Sequence, residues 1–484
     1  MSWWPWSRKT RQIISPYQRH VRARYDAAQT TAENRRHWAA ADNLSPADAT
    51  NAATRQTLRN RARYEVANNS YARGIVLTLA NDTIGTGPKL QLHSPDHARN
   101  DEIEARFAEW ASAIALAEKL RTMAMALTTD GESFGVLFSN YAADSDIKLD
   151  VRLVEADQVA APAMVTGGQS LQPEIEYDEY GNPVLYRIMS HHPNSRQFQI
   201  NRNVEEVPAD SVLHWYREDR PGQRRGISHL APALELFAQL RRYTLAVLTA
   251  AETAANFGLI FSTNTPPGDA QESTVEPFTE IELVRNMGMF APEGWGAQQI
   301  KAEQPTTVYG DFKRELLKTT VYGDFKRELL NEIARCLNMP FNIAAGNSSG
   351  YNYASGRLDH QTYYRALMVQ QAHVGIALLD RIFAKWAQEA SNVFRFDNIA
   401  QYPHEWYWDG HEHVDPAKEA QAQERRLANH TTTLTYEYAK RGIDVRVALE
   451  TRAQELQLMK ELGIPLSKGE AGSESAADPE EDEE

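Results

Sequence analysis

A single cysteine, Cys336, stands in the whole chain. No intramolecular disulfide can form, and assembly in a reducing, cytoplasmic compartment is expected. Long apolar runs are missing too. The most apolar stretch, 243–251, is bracketed by Arg241, Arg242 and Glu252 and is too short to cross a bilayer. The opening residues Met1-Ser-Trp-Trp-Pro-Trp-Ser-Arg-Lys9 carry no apolar core and no cleavage site of a secretory signal. Basic surplus is absent: 51 Lys and Arg stand against 65 Asp and Glu, a formal charge of −14. A protein that grips nucleic acid tightly shows the opposite balance, so composition alone favours no contact with DNA and leaves room for weak, non-specific or repulsive contact.

Nucleotide and catalytic signatures are lacking as well. There is no Walker A sequence, and Gly85-Thr86-Gly87 fails at the third glycine of a dinucleotide fingerprint. Two Gly-x-Ser-x-Gly matches occur, Gly131–Gly135 around Ser133 and Gly346–Gly350 around Ser348. A nucleophile elbow needs a strand before the serine and a helix after it. The first match reads in the reverse order and the second sits in a loop after Pro340. His404, His411 and His413 gather near Glu405 and Asp409, but their spacing fits no metal motif, and Trp406, Tyr407 and Trp408 among them point to packing. No metal, no cofactor and no catalytic residue is expected.

What is present is a chain of 484 residues with 42% hydrophobic and 24% charged residues, enough for two or more modules. Arg8, Lys9, Arg11, Arg19, Arg22 and Arg24 make a basic, apolar-poor beginning, expected to be loosely ordered up to residue 60. The stretch 61–85 predicts a helix with Asn68 or Asn69 as a cap and Gly85 as its stop, followed by a strand over 88–93. Ile103, Phe107, Trp110 and Ile114 predict one helix over 101–126. Alternating runs at 134–140, 149–154 and 184–189 predict strands, with a hairpin turn at 178–182. Further helices are expected over 230–257, 328–337 and 358–394, and two or three over 415–462, broken at Gly442. The fold class is α+β, mainly helical. The last residues, 466–484, form an acidic tail expected to be disordered.

One internal repeat stands out. Thr306–Leu317 recurs letter for letter as Thr319–Leu330, a step of thirteen residues. That step rotates a helix face by roughly 220°, so Phe312 and Phe325 cannot meet the same neighbour on one straight helix. One copy is therefore surplus. Lys313, Arg314, Lys326 and Arg327 read as a solvated helix face.

Several segments, in order, resemble the portal proteins of lambda-like tailed phages. They are Arg63-Tyr-Glu-Val-Ala-Asn-Asn-Ser-Tyr-Ala-Arg-Gly74 running on to Gly85, Thr129-Asp-Gly-Glu-Ser-Phe134, and Val154-Glu-Ala-Asp157. His214-Trp-Tyr-Arg-Glu-Asp-Arg-Pro-Gly-Gln-Arg-Arg-Gly-Ile-Ser228, Asn338-Met-Pro340 leading to Tyr351–Arg357, and Asp415-Pro-Ala-Lys-Glu-Ala420 complete the set. The match runs over roughly residues 60–465. No single piece is a catalytic signature; their joint order is specific. The duplicated segment is the departure, because the family pattern accommodates one copy.

The resemblance implies a virion protein at a capsid vertex, a homo-oligomeric ring of about a dozen subunits with a central channel for double-stranded DNA. It also implies a docking platform for the terminase large subunit and the head–tail connector, in contact with major capsid and scaffold proteins and with no membrane. Each subunit would have a wing (61–230, with a return at 395–414), a first stem helix (231–257), a clip (258–305) and a second stem helix carrying the duplication (306–345). A spine helix (357–394) and crown helices (415–465) follow. The loop 346–356 would enter the channel without sequence specificity. Its candidate DNA-facing residues are Gly346, Asn347, Ser348, Ser349, Gly350, Tyr351, Asn352, Tyr353 and Ser355, with Arg357 either touching phosphate or pairing with a carboxylate of a neighbouring subunit. Read without the resemblance, the same loop is an ordinary surface linker. The competing readings are another oligomeric phage head protein, capsid or scaffold-associated, and a hydrolase using Ser133, Ser348 or the histidines.

Overall fold

The computed structural model describes residues 36, 39–159, 173–197, 203–255, 258–263, 295–300, 322–349, 353–396, 399–410, 416–439 and 441–464. A short helix α1 (Pro46–Ala49) precedes α2 (Ala52–Asn68) and α3 (Ser70–Ile84). Side chains decide where these begin. Asn51 Oδ1 accepts from the Thr54 amide at 2.9 Å, and Asn69 Oδ1 from the Tyr71 amide at 3.0 Å, each satisfying a donor the helix leaves free. Thus α2 starts well before the ordered region expected from residue 61 and runs through position 60 without a break. Gly85, at φ 60°, ends α3.

Strand β1 (Lys89–Leu92) leads to α4 (His97–Ala113) and α5 (Leu116–Asp130). The single helix expected over 101–126 is therefore two. The chain breaks at Ala115, which adopts φ 52°. The apolar spacing runs straight through the break, because Ile114 and Leu116 on either side are both buried in the same core.

Next come β2 (Glu132–Ser139) and β3 (Leu149–Val154), then β4 (Ile175–Tyr177), β5 (Pro183–Met189), β6 (Val204–Pro208) and β7 (Val212–Tyr216). Two three-stranded antiparallel sheets result, in the orders β3-β2-β7 and β4-β5-β6. The β4–β5 turn forms as its sequence predicts: Asp178 Oδ1 accepts from the Tyr180 and Asn182 amides at 2.9 and 2.7 Å.

Helix α6 (Leu234–Ala255) runs into β8 (Gly258–Thr263), which pairs with β9 (Trp295–Ile300). Residues 281–290, whose sequence predicts short strands, lie outside the described residues, as does the first copy of the repeat. The second copy lies largely within α7 (Tyr322–Arg335), which is followed by the short α8 (Phe341–Ala345). A long helix then runs as α9 (Tyr353–Val374), a π-turn (Gly375–Leu379) and α10 (Asp380–Phe394). Strand β10 (His404–Tyr407) returns to pair with β1, so that Leu90 stands opposite Trp406. Helices α11 (Pro416–Ala428), α12 (Leu434–Ala439) and α13 (Val445–Glu461) complete the described chain. Among the described residues no helix is long and apolar enough to cross a membrane.

Two large cores hold the helices. One packs α4, α5 and α10 against the β3-β2-β7 sheet and β10, around Phe107, Trp110, Phe383 and Trp386. The Phe107 and Trp386 rings meet edge-on at 5.2 Å, and Trp110 Nε1 donates to the Leu149 carbonyl at 2.8 Å. The second gathers α2, α3, α6, α7 and α9 around Ile75, Phe237, Ile333, Tyr363 and Leu367. Each such side chain contributes about 1.5–3 kcal/mol through burial. A smaller core around Phe134, Tyr186, Ile188 and Val212 joins the two sheets.

Candidate functional site

The loop expected to enter a channel is shorter than its sequence implies. Gly346 caps α8 in the left-handed region at φ 61°. The Asn347 amide donates to the Asn342 carbonyl at 3.0 Å, and the Ser349 amide to Asn347 Oδ1 at 2.9 Å. Asn342 Nδ2 and His360 Nε2 meet at 2.9 Å, tying the loop's start to α9. Tyr353, Ser355 and Gly356 belong to α9, not to the loop. A glycine inside a helix costs only about 1 kcal/mol relative to alanine, too little for Gly356 to end so long an element. Arg357 is exposed on the same helix. Gly350, Tyr351 and Asn352 lie outside the described residues.

Among the described residues, the competing sites are not assembled as chemistry requires. Ser133 lies in β2 with α5 before it, the reverse of a nucleophile elbow. His404 is held by the Tyr402 carbonyl at 3.0 Å and by Asp380 Oδ1 at 3.3 Å. Asp409 Oδ1 accepts from the Thr86 hydroxyl at 2.9 Å. His411 and His413 lie outside the described residues. Glu155, Asp157 and His192 cluster elsewhere, but Arg59 Nη1 and Arg63 Nη1 already hold Asp157 at 2.7 and 2.8 Å.

The most elaborate polar structure is one the sequence did not announce. Glu132, the first residue of β2, is fully buried. Arg225 Nε and Nη2 donate to its two oxygens at 2.8 and 2.6 Å, a bidentate pair. Arg59 Nη2 and the Gly226 amide add bonds of 3.2 Å each, and His214 Nε2 lies at 3.4 Å. Burial alone would raise the Glu132 carboxyl; Arg225 and His214 outweigh it and hold it well below the usual carboxylate range. Burial likewise opposes the Asp157 charge, and Arg59 and Arg63 keep it below its ordinary value. Arg63 Nε and Nη2 grip Asp130 at 2.8 and 2.7 Å, and Arg55 Nη2 grips Glu174 at 2.8 and 2.9 Å. Arg225 Nη1 also bonds Glu174.

Two backbones cross tightly beside this junction. A Cβ built on Gly226 would fall 1.9 Å from the Gly131 carbonyl oxygen, and one on Gly131 would fall 2.1 Å from the Ile227 carbonyl carbon. Only glycine fits either position. His229 follows, and burial pushes its imidazole down to about 3, so it stays neutral.

Asp130, Gly131 and Glu132 belong to one of the sequence segments singled out above, and Asp157 to a second. His214, Arg225 and Gly226 belong to a third, and Arg63 opens a fourth. Segments separated by up to 160 residues thus meet in one ionic junction joining α2, the start of β2 and the loop after β7. Two clefts border the junction, one of about 240 Å³ lined by Arg55, Arg59, Asp157, Glu174 and Arg225 and one of about 480 Å³ reaching Arg63, Asp130 and Glu132, and its carboxylates are paired with guanidinium groups. These pairs brace the place where the segments cross.

The described residues form a mainly helical fold with small antiparallel sheets, braced at this junction. The sequence profile described as "Phage portal protein, lambda family" matches residues 32–371, and the chain belongs to that family. A relative 22% identical over 478 residues, spanning 92% of this chain and 88% of its own, is the "Probable portal protein" of Halomonas phage phiHAP-1. Among solved structures, "Neck of empty GTA particle computed with C6 symmetry" is 14% identical at a TM-score of 0.48, covering 79% of this chain and 92% of that one. "Virion of native gene transfer agent (GTA) particle" is 14% identical at 0.47, covering 85% and 99%.

Proposed function

We propose that this phage portal protein closes into a ring of about a dozen subunits at one capsid vertex, a closed cyclic assembly, and that double-stranded DNA enters and leaves the head through its lumen. The observation that carries this reading is the family match over residues 32–371. In it, the two sheets with α2–α5 and the β10 return form the wing, α6 and α7 the stem, and 258–305 the clip. The helix from α9 through α10 is the spine, and α11–α13 the crown. The clip meets the terminase large subunit during filling and the head–tail connector afterwards, while capsid and scaffold proteins surround the wing. The protein acts as a conduit, not an enzyme, and the motor is another chain. It resides in the virion after assembly in the host cytoplasm.

Such a conduit must let a polyanion slide. Every phosphate neutralised by a fixed cation adds counterion-release affinity and acts as a brake. A net charge of −14 and a loop offering Asn347, Ser348 and Ser349 suit weak, uncharged contact. Packaging by the corresponding terminase into heads built with this chain tests the reading. Replacing Asn347, Ser348 and Ser349 together by lysine should slow filling and make the rate depend on salt. Unchanged filling would remove the loop from the DNA path, and filling of heads that lack the chain would overturn the conduit itself.

A further inference from the structure

The long helix α9 buries one side in its own subunit and leaves the other uncovered. Tyr363, Leu367 and Val374 face the core. About half a turn away, Val369 and Ile376 are 68% and 72% exposed, with Met368 beside them at 63%; Leu358, 67% exposed, lies about three turns earlier on the same face, beyond the exposed Thr362 and Arg365. Ala372 is exposed in the same row. An apolar stripe of Met368, Val369, Ala372 and Ile376 over about two helical turns is more than the scattered exposure of an ordinary surface.

A matching recess lies on the far side of α3. A groove of about 480 Å³ opens between α2, α3, α5 and β3, and Val66, Val76, Leu77, Met125 and Leu153 supply its apolar wall. Helix α3 separates the two features. Its Asp82 and Thr83 touch α9 through the Tyr363 hydroxyl and the Gln371 amide. Arg73 and Leu77 line the groove, and nine residues of helix put Arg73 and Asp82 about 180° apart. The order across the subunit is therefore groove, α3, α9, stripe: a recess on one flank and a ridge on the other.

A ridge and a recess on opposite flanks fit a head-to-tail contact between copies of one chain. A two-fold contact needs a self-complementary patch; a head-to-tail contact needs two different ones, and it closes into a ring when the rotation permits. We infer that the α9 stripe of one subunit seats in the α2–α3–α5 groove of the next, making this the apolar contact on which ring closure depends. The inference rests on the ring reading above and goes beyond it by naming both faces.

The test introduces Leu77→Cys and Val369→Cys, singly and together, into the full chain and treats assembled particles with a short bis-maleimide. Cys336 is half-buried, with its thiol pushed up to about 11 by burial, and the unsubstituted chain treated in parallel reads any link it makes. The double variant should give a covalent ladder reaching the complete ring, a mixture of the two single variants should give dimers only, and each single variant alone should give none. Val369→Cys linking to itself would replace the head-to-tail contact by stripe-on-stripe packing. Rings that form without any Leu77–Val369 link would mean that something else fills the groove, such as the chain before Arg36, and would overturn the inference while leaving the ring intact. If the unsubstituted chain forms no ring, the ring reading fails first. Val369→Glu and Ile376→Glu, both at exposed positions, should disperse the particles into smaller species with the thermal transition of the subunit unchanged.

Discussion

At Glu132, desolvation and ion pairing act against each other, and the balance depends on every partner being present. Removing one member of a buried ion pair leaves an unpaired charge in a dry site, which costs about 3–5 kcal/mol. Glu132→Ala should therefore destabilise the subunit by that amount, read as a lowered thermal transition and loss of soluble protein; a transition within a degree or so of the parent would refute the bracing role. The pH dependence has two opposite parts. Glu132 and Asp157 have depressed folded values, so the stability they contribute is present above their unfolded values of about 4.5 and 3.8 and is lost as pH falls through the folded ones. Glu104 behaves in reverse. Burial, opposed by the Leu92 amide and aided by Asp101 and Asp444, raises its carboxyl to about 7. The protonated form is favoured in the fold, so its contribution is present below about 4.5 and is lost as pH rises through 7. Glu104→Gln should raise the melting temperature at pH 8 and change it little at pH 5; equal effects at both would show that charge is not the cause. None of this was readable in the sequence. Arg59, Arg225, Glu132 and Asp157 look like any surface charges until the fold brings four distant segments together. A buried ion pair leaves no periodic trace, unlike the spacing of Ile103, Phe107 and Trp110.

At the scale of elements, periodicity and caps carried most of the outline. Asn69, Gly85 and the Asp178 turn all act where their chemistry places them, and the strands at 149–154 and 183–189 follow from alternation. The break between α4 and α5 escaped because both sides of Ala115 feed one core, so the apolar spacing never lapses. Helix α9 started earlier than expected because one glycine cannot stop a long helix. The repeat shows what the second copy does. Leu329, Leu330 and Ile333 are buried in the second core, Phe325 meets Tyr243 edge-on at 4.7 Å, and Arg327 lies over Phe341 at 5.3 Å. These contacts define α7; the first copy lies outside the described residues. Deleting 306–318 should leave the thermal transition and the assembled particle unchanged. Loss of soluble protein on that deletion would show that the first copy, too, makes contacts the fold requires.

At the scale of the whole molecule, the family was legible because several motif segments occur in one order. Four of those segments meet at one junction. Charge is the other whole-molecule property. A tight duplex-binding protein making six to ten phosphate contacts shows a steep salt dependence, with log K falling about 0.9 per contact for each unit of log salt. This chain, at −14, should bind duplex DNA weakly, with a slope shallower than about three such contacts would give; a steep slope measured by titration would contradict the sliding account. The ring itself is tested most directly by imaging the purified, unsubstituted chain by electron microscopy, with particle mass from light scattering. The account predicts closed rings of about a dozen subunits around a pore of at least about 20 Å, wide enough for a duplex whose phosphates lie about 1.7 Å apart along the axis. A compact monomer or a curved shell, persisting across salt and protein concentration, would contradict it.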